Sequence, residues 1–324
     1  MSGASSSAAG WSTLLDFPAP ATDLLRRPDD PRLGEVVEFW TGAESALRPG
    51  RAVLIGFPQD EGVRRNHGRV GAAQAPRTLR HCLWRLTPTD PTANVDLRDQ
   101  PPLDLGDVRV SADLEESQAA LGAVVGAVLQ RGSVPIVLGG GHETAYGHFL
   151  GYAQLGLPVA VVNIDAHLDV RPLIDGRGHS GSPFRQMLEH ATQPLPGANY
   201  ACLGAQPHAV SCDHLAYARS RGCRVDFAPL PLALPAFAAP TMLTIDADAF
   251  HVRDVPGVSA PNVAGYDGGL AFTLARQAGQ AASVRSMDLV EICPPLDRDG
   301  QSGRWGALVL WNFLMGLALR AGTD

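Results

Sequence analysis

The chain is poor in cysteine. Cys82, Cys202, Cys212, Cys223 and Cys293 are odd in number, widely scattered and form no CxxC pair. That excludes a disulfide framework and a thiolate zinc site, and fits thiols used as small hydrophobes in a reducing, cytoplasmic setting. Long apolar runs are also missing: nothing approaches the roughly 20 consecutive apolar residues that a membrane span requires. The N-terminal MSGASSSAAGW has neither the basic start nor the apolar centre of a secretory signal, and residues 1–12 are expected to be a disordered tail. Positive charge is in deficit, with a net charge of −7 and a pI near 5.8. Nucleic acid and anionic membrane surfaces are therefore poor partners, and only a local basic pocket is expected. No fixed-period repeat and no internal boundary appear, so residues 13–324 are expected to form one domain.

What is present is an ordinary globular composition, 45% hydrophobic and 18% charged, arranged around NIDAHLDVR at 163–171. The run PVAVV at 158–162 reads as a strand buried on both faces, as in a parallel sheet. Polar residues begin where that strand stops. Asp165, His167 and Asp169 are spaced by two, so in extended or just-ended strand they lean to one side. Two further strand ends carry the same signature: VPIVL at 134–138 runs into GGGHE at 139–143, and MLTI at 242–245 runs into Asp246-Ala247-Asp248. Any one such Asp is ordinarily a cap or turn residue. Three strand ends bearing His142, Asp165, His167, Asp169, Asp246 and Asp248 point instead to one shared binuclear metal site, because ligands gather beyond the carboxyl ends of strands in open α/β sheets.

The remaining elements fit that scheme. A short helix is expected at 30–43, a buried strand at 51–56, a helix at 75–84, a surface connection at 87–102, a strand at 103–108 and an amphipathic helix at 114–131. Beyond it come helices at 143–155, 213–221, 268–279 and 305–320, and strands at 200–204, 223–228 and 284–292. The proline-rich 230–240 cannot be helical. Strands alternating with helices imply an α/β fold with a mainly parallel sheet. The glycine triplet 139–141 matches neither GxGxxG nor GxxxxGK[ST], and is expected to turn the backbone so that His142 enters the cleft. In the loop after the first strand, Arg64, Arg65 or Arg69, helped by Asn66, is expected to grip carboxylates, for which a guanidinium fork is suited. Arg171, just past the candidate ligands, is expected to face the same pocket.

GGGHE at 139–143, DAHLD at 165–169 and DAD at 246–248 resemble the motifs of the ureohydrolase family of arginases, agmatinases and formimidoylglutamases, over most of the chain after about residue 50. The resemblance implies a three-layer α/β/α sandwich that holds two Mn²⁺ ions bridged by hydroxide, a donor set suited to manganese. It implies one ion on His142, Asp165, Asp169 and Asp246, and the other on Asp165, His167, Asp246 and Asp248. It further implies Asp169 as the residue orienting the nucleophile, Glu291 as the group pairing with the amidine-like end of the substrate, and a homo-oligomer. DEGVRRNHGRVGA at 60–72 and DAHLDVR at 165–171 look most like formimidoylglutamase, as does SGSPF at 180–184, where Ser180 stands in place of the histidine of a HG[TQ]P-like element. His179 is one position early, and the proton shuttle is left unassigned. The family continues after DAD with an Asp-Pro pair; this chain has AFHVRDVPGVSAP, with PGVSAP at 256–261 resembling the loop beneath the substrate. The implied reaction is hydrolysis of N-formimidoyl-L-glutamate, an anionic small molecule, to L-glutamate and formamide in histidine degradation. Alternatives are a ureohydrolase acting on agmatine or on a guanidino acid such as guanidinobutyrate, and a non-catalytic metal-binding homologue.

Overall fold

The computed structural model describes residues 10–18, 28–229 and 233–320. Its strands are, in chain order, β1 (Leu15–Asp16), β2 (Glu38–Phe39), β3 (Ala52–Gly56), β4 (Thr89–Asp90), β5 (Val95–Asp96), β6 (Leu103–Val108), β7 (Val134–Leu138), β8 (Ala160–Ile164), β9 (Tyr200–Ala205), β10 (Arg224–Phe227), β11 (Thr241–Asp246) and β12 (Val284–Val290). The helices are α1 (Glu61–Arg65), α2 (Ala75–Leu83), α3 (Leu114–Gln130), α4 (Thr144–Gln154), α5 (Pro183–Leu188), α6 (Cys212–Ser220), α7 (Gly268–Gln280) and α8 (Gln301–Arg320).

One large sheet runs β1-β6-β3-β7-β12-β11-β8-β9-β10, with β2 also paired to β6. Every pairing in it is parallel except that of the edge strand β1 with β6, while β4 and β5 form a separate antiparallel pair. The sequence reason is plain in β3, β7, β8 and β11, which are buried at every position. Such strands need cover on both faces, and helices supply it. On one face Val53 and Ile55 meet Leu121, Val124, Val125 and Val128 of α3 and Phe149 of α4. On the other, Leu54 shares a core with Leu79 and Leu83 of α2 and with Leu310, Phe313 and Leu314 of α8. The result is the expected three-layer α/β/α sandwich. Within the second layer α7 approaches α8 backbone to backbone: a Cβ on Gly316 would lie 2.3 Å from the Arg276 carbonyl oxygen, so glycine is required there.

Several boundaries differ from expectation. Residues 30–43 are not a helix: Leu33–Glu35 make one 3₁₀ turn and Glu38–Phe39 add a strand to β6. Pairing with the sheet overrode a weak local pattern. The tail expected over 1–12 falls for residues 1–9 outside the described residues, but Trp11 is buried, stacked on Trp40 at 5.0 Å and bonded through Nε1 to Glu44. The strand placed at 158–162 lies at Ala160–Ile164, carrying Asn163 and Ile164 into the sheet. Residues 87–102 include the β4–β5 hairpin, whose buried Asp90 pairs with Arg276 of α7 at 2.5 Å. Of 230–240, residues 230–232 fall outside the described residues and the rest is not helical. Among the described residues no helix is long and apolar enough to cross a membrane.

Candidate metal centre

The site follows from register. Leu138 of β7 pairs with Leu289 of β12, Leu289 with Ile245 of β11, and Ile245 with Ile164 of β8. These four apolar residues form one row across the sheet centre. All four strands are parallel, so the next row, Gly139, Val290, Asp246 and Asp165, emerges at a single edge. The chain therefore delivers His142, Glu291, Asp246–Asp248 and Asp165–Asp169 to one place.

The last step is made by turns rather than by strand pleat. The period-two geometry expected for DAHLD and DAD does not hold, because β8 ends at Ile164 and Asp248 lies in a 3₁₀ turn. Instead, Asp165 Oδ1 accepts the His167 N–H at 2.7 Å and Asp246 Oδ1 accepts the Asp248 N–H at 2.8 Å. Each DAx motif thus closes an Asx turn that folds its third residue back toward the first. Asp169 is then brought inward by a left-handed backbone, φ +45°.

Two ligand groups result. His142, Asp165, Asp169 and Asp246 present atoms within 4.8 Å of one another, and so do Asp165, His167 and Asp248. The His142 Nδ1 is 3.0 Å from Asp169 Oδ2, 3.0 Å from Asp246 Oδ2 and 3.4 Å from Asp165 Oδ2. Yet it makes no well-aligned hydrogen bond among the described residues, and Asp248 Oδ1 is likewise buried without a partner. Several oxygens crowding one nitrogen off the N–H line describe a cation shell better than a hydrogen-bond network. The other ring nitrogen of His142 is engaged by Thr244 Oγ1 at 3.1 Å, which leaves Nδ1 for an ion. Burial, with Asp248 and Asp165 alongside, pushes the Asp246 carboxyl well above the usual range, and burial raises that of Asp248. A divalent cation would remove that penalty. Four carboxylates, two imidazoles and no thiolate suit a hard ion such as Mn²⁺. Asp165 is common to both groups; Asp246, expected to bridge, falls only in the first.

A cavity of about 280 Å³ opens over these ligands. Its wall includes Glu291, Asn66, Arg69, Arg171 and Ser180, as expected. Glu291 is buried with φ +65°, its Oε1 accepts the His142 N–H at 2.8 Å, and burial beside Glu143 and Asp248 pushes its pKa up to about 8. Arg171 Nη1 donates to Asn66 Oδ1 and Asn66 Nδ2 donates to Ser180 Oγ, both at 3.1 Å, tying the loop after α1 to the β8–α5 connection at the rim. Two expected residues are not on the wall. Arg64 is exposed and paired with Glu61 at 2.5 Å. Arg65 is engaged by Glu61, by both oxygens of Glu115 and by the Gly178 carbonyl. Both lie at the end of α1, where i,i+3 and i,i+4 spacing hands them to Glu61. His179 is buried, its ring held by the Pro172 carbonyl and the Gly181 N–H, and does not line the cavity.

Other participants were not anticipated. Thr244 carried no signal beyond its position two residues before Asp246. Glu143 is buried with Oε1 accepting the Gly62 N–H at 2.7 Å, which fastens α1 to the turn that carries His142, and burial raises its pKa to about 8. His67 and Ser259 also line the cavity. A larger cavity, about 490 Å³, opens beside Arg48, Arg51 and Arg320, near the start of β3, but among the described residues it holds no His-carboxylate group. Donor chemistry, not size, identifies the site.

A sequence profile described as the arginase family matches residues 50–316. The chain is 40% identical over 278 residues to the formimidoylglutamase of Geobacillus kaustophilus, covering 81% of each chain. It is 36% identical over 299 residues to that of Chromobacterium violaceum, covering 86% of this chain and 93% of the relative. Among solved structures, Trypanosoma cruzi formiminoglutamase with Mn²⁺ superposes with a TM-score of 0.82 at 32% identity, over 90% of this chain and all of that one.

Proposed function

The chain belongs to the arginase family and is a hydrolase of linear amidine C–N bonds, and from that premise we propose that it cleaves N-formimidoyl-L-glutamate to L-glutamate and formamide with two Mn²⁺ ions. The observation that carries the reading is one cavity with a hard-donor ligand cluster at its base and guanidinium groups, Arg69 and Arg171, on its wall. An amidine joined to two carboxylates is complementary to both ends.

One ion would be held by His142, Asp165, Asp169 and Asp246 and the other by Asp165, His167 and Asp248; when bound, they lower the pKa of water from about 15.7 and so make it a nucleophile at neutral pH. Thr244 engages His142 Nε2 and so orients the ring with Nδ1 toward the ligand carboxylates. Asp169, a ligand with a left-handed backbone, orients the nucleophile by accepting its hydrogen bond. Glu291 uses one oxygen to accept the His142 N–H, which leaves the other for an N–H of the cationic formimino group. Arg171, steadied by Asn66, fixes a substrate carboxylate, and Arg69 contributes to the second. Gripping both ends turns binding into orientation. Water is divided between the products: its hydroxyl goes to the formimino carbon, and a proton goes to the glutamate nitrogen as the C–N bond breaks.

The test is a substrate panel on manganese-loaded protein. Glutamate release from N-formimidoyl-L-glutamate, with little urea from arginine, agmatine or 4-guanidinobutyrate, is expected. A preference for any of the guanidines would overturn the substrate assignment.

A further inference from the structure

We infer that His67 is a specificity-determining residue of this cavity, its imidazole N–H bonding one of the two substrate carboxylates; the inference rests on the reading above and deepens it. The first ground is a shortage of donors. Arg64 and Arg65 are off the wall, bound to Glu61 and Glu115. Arg69 is on the wall, but its Nε donates to the Ser259 carbonyl at 2.9 Å and its Nη2 to the Val258 carbonyl at 2.7 Å. A guanidinium so engaged cannot offer the Nε–Nη fork that grips a carboxylate through two parallel bonds. Arg171 gives one bond from Nη1 to Asn66 and retains the rest of its donors. One carboxylate can therefore be held bidentately by Arg171, while Arg69 meets the second with only Nη1 and one Nη2 N–H uncommitted, which leaves room for a further donor.

His67 is placed to supply it. The residue lines the cavity between Asn66 and Arg69, and its ring makes no hydrogen bond or ion pair with other described residues. His167, the other imidazole on the wall, is committed to Asp165 and Asp248.

The second ground is a fixed backbone conformation. Among the described residues, the non-glycines with positive φ are His67 (+59°), Asn94, Asp169, Asp175, Glu291 and Asp299. Asn, Asp and His are the non-glycine types that most often take this conformation. His67, Asp169 and Glu291 all line this one cavity. His67 is held there on both sides: its N–H donates to the Arg64 carbonyl at 3.1 Å, the Gly68 N–H to the Val63 carbonyl at 2.8 Å and the Arg69 N–H to Ser259 Oγ at 2.8 Å. A backbone fixed in this way on the cavity wall, with a ring that no other described residue engages, leaves the exposed His67 imidazole available to a ligand.

The test uses the full chain loaded with Mn²⁺ and the variants His67→Gly and His67→Asn. Substrates are N-formimidoyl-L-glutamate, its analogue without the α-carboxylate (4-formimidamidobutyrate), and its analogue without the γ-carboxylate (N-formimidoyl-L-2-aminobutyrate). For His67→Gly the KM for the dicarboxylate should rise about 10- to 100-fold, the range of a lost hydrogen bond to a charged group, with the loss falling on KM rather than kcat. One monocarboxylate, the one lacking the group that His67 meets, should show no change. Calorimetric affinity for L-glutamate should fall by the same factor, and His67→Asn should restore part of it. The melting temperature of His67→Gly should match or exceed the parent's, since glycine is at ease at φ +59°. An unchanged KM for the dicarboxylate, or an equal rise for all three substrates, would overturn the inference. Failure of the parent to release glutamate from the dicarboxylate would instead sink the reading beneath it, and is seen without any variant.

Discussion

Replacing Asp246 with Asn separates an ion-binding centre from a mere acidic cluster. The ligand atoms of His142, Asp165, Asp169 and Asp246 lie within 4.8 Å of one another, and two like unit charges at that distance repel by about 3.5 kcal/mol at an effective dielectric constant of about 20. The His142 Nδ1, 3.0 Å from Asp246 Oδ2, offsets part of the repulsion. In chelator-treated protein the nearly isosteric Asp246→Asn change should leave the folded state as stable as the parent, or up to about 3 kcal/mol more stable. Manganese should reverse that order. An ion that binds only the folded state stabilises it by about 2.7 kcal/mol at a hundred times its Kd, and a variant missing a ligand charge forfeits much of this. Urea denaturation in EDTA and in graded Mn²⁺, together with metal content by mass spectrometry, reads both halves. If manganese moves the variant's midpoint as far as the parent's, or if the chelated variant is markedly less stable, Asp246 does not belong to a cation site and the ligand scheme fails.

Three further outcomes are expected. Arg171→Met should raise the KM for N-formimidoyl-L-glutamate by about 10- to 100-fold, whereas Arg64→Met, at an exposed pair with Glu61, should leave it unchanged; equal effects would show that the wall is misassigned. Arg80 makes two bonds to the fully buried Asp104, at 2.8 and 2.9 Å, so Arg80→Ala should cost about 3–5 kcal/mol in urea denaturation, and Asp104→Asn in the same chain should recover part of it. Burial raises the Glu115 pKa, but bonds from Arg65 and Arg177 outweigh it and bring it down to about 2 from an ordinary 4.5. That stability is present above the unfolded pKa and is lost as pH falls toward the folded one. The stability difference between the parent and Glu115→Gln, under about 1 kcal/mol for so exposed a group, should hold above pH 5 and shrink toward pH 2; a difference independent of pH would remove Glu115 as the charged anchor.

The sequence alone was enough for the layered α/β architecture and the six candidate ligands. A strand covered on both faces is largely apolar, so VPIVL, PVAVV and MLTI announce themselves, and polar residues beyond their ends stand out. Tertiary structure decided what depends on partners distant in the chain. The row Leu138, Leu289, Ile245, Ile164 sets which strand ends are neighbours, and no local pattern encodes that register. Asx turns, not pleat, aim His167 and Asp248. The arginines of the 60–72 loop looked equivalent in sequence, but Arg64 and Arg65 were drawn away by Glu61 and Glu115, and Arg69 by the Ser259 and Val258 carbonyls. Burial is a property of a residue's own apolar surface and can be read locally. Which cation meets which anion is a competition among all the acceptors that the fold brings within reach, and only the folded chain settles it.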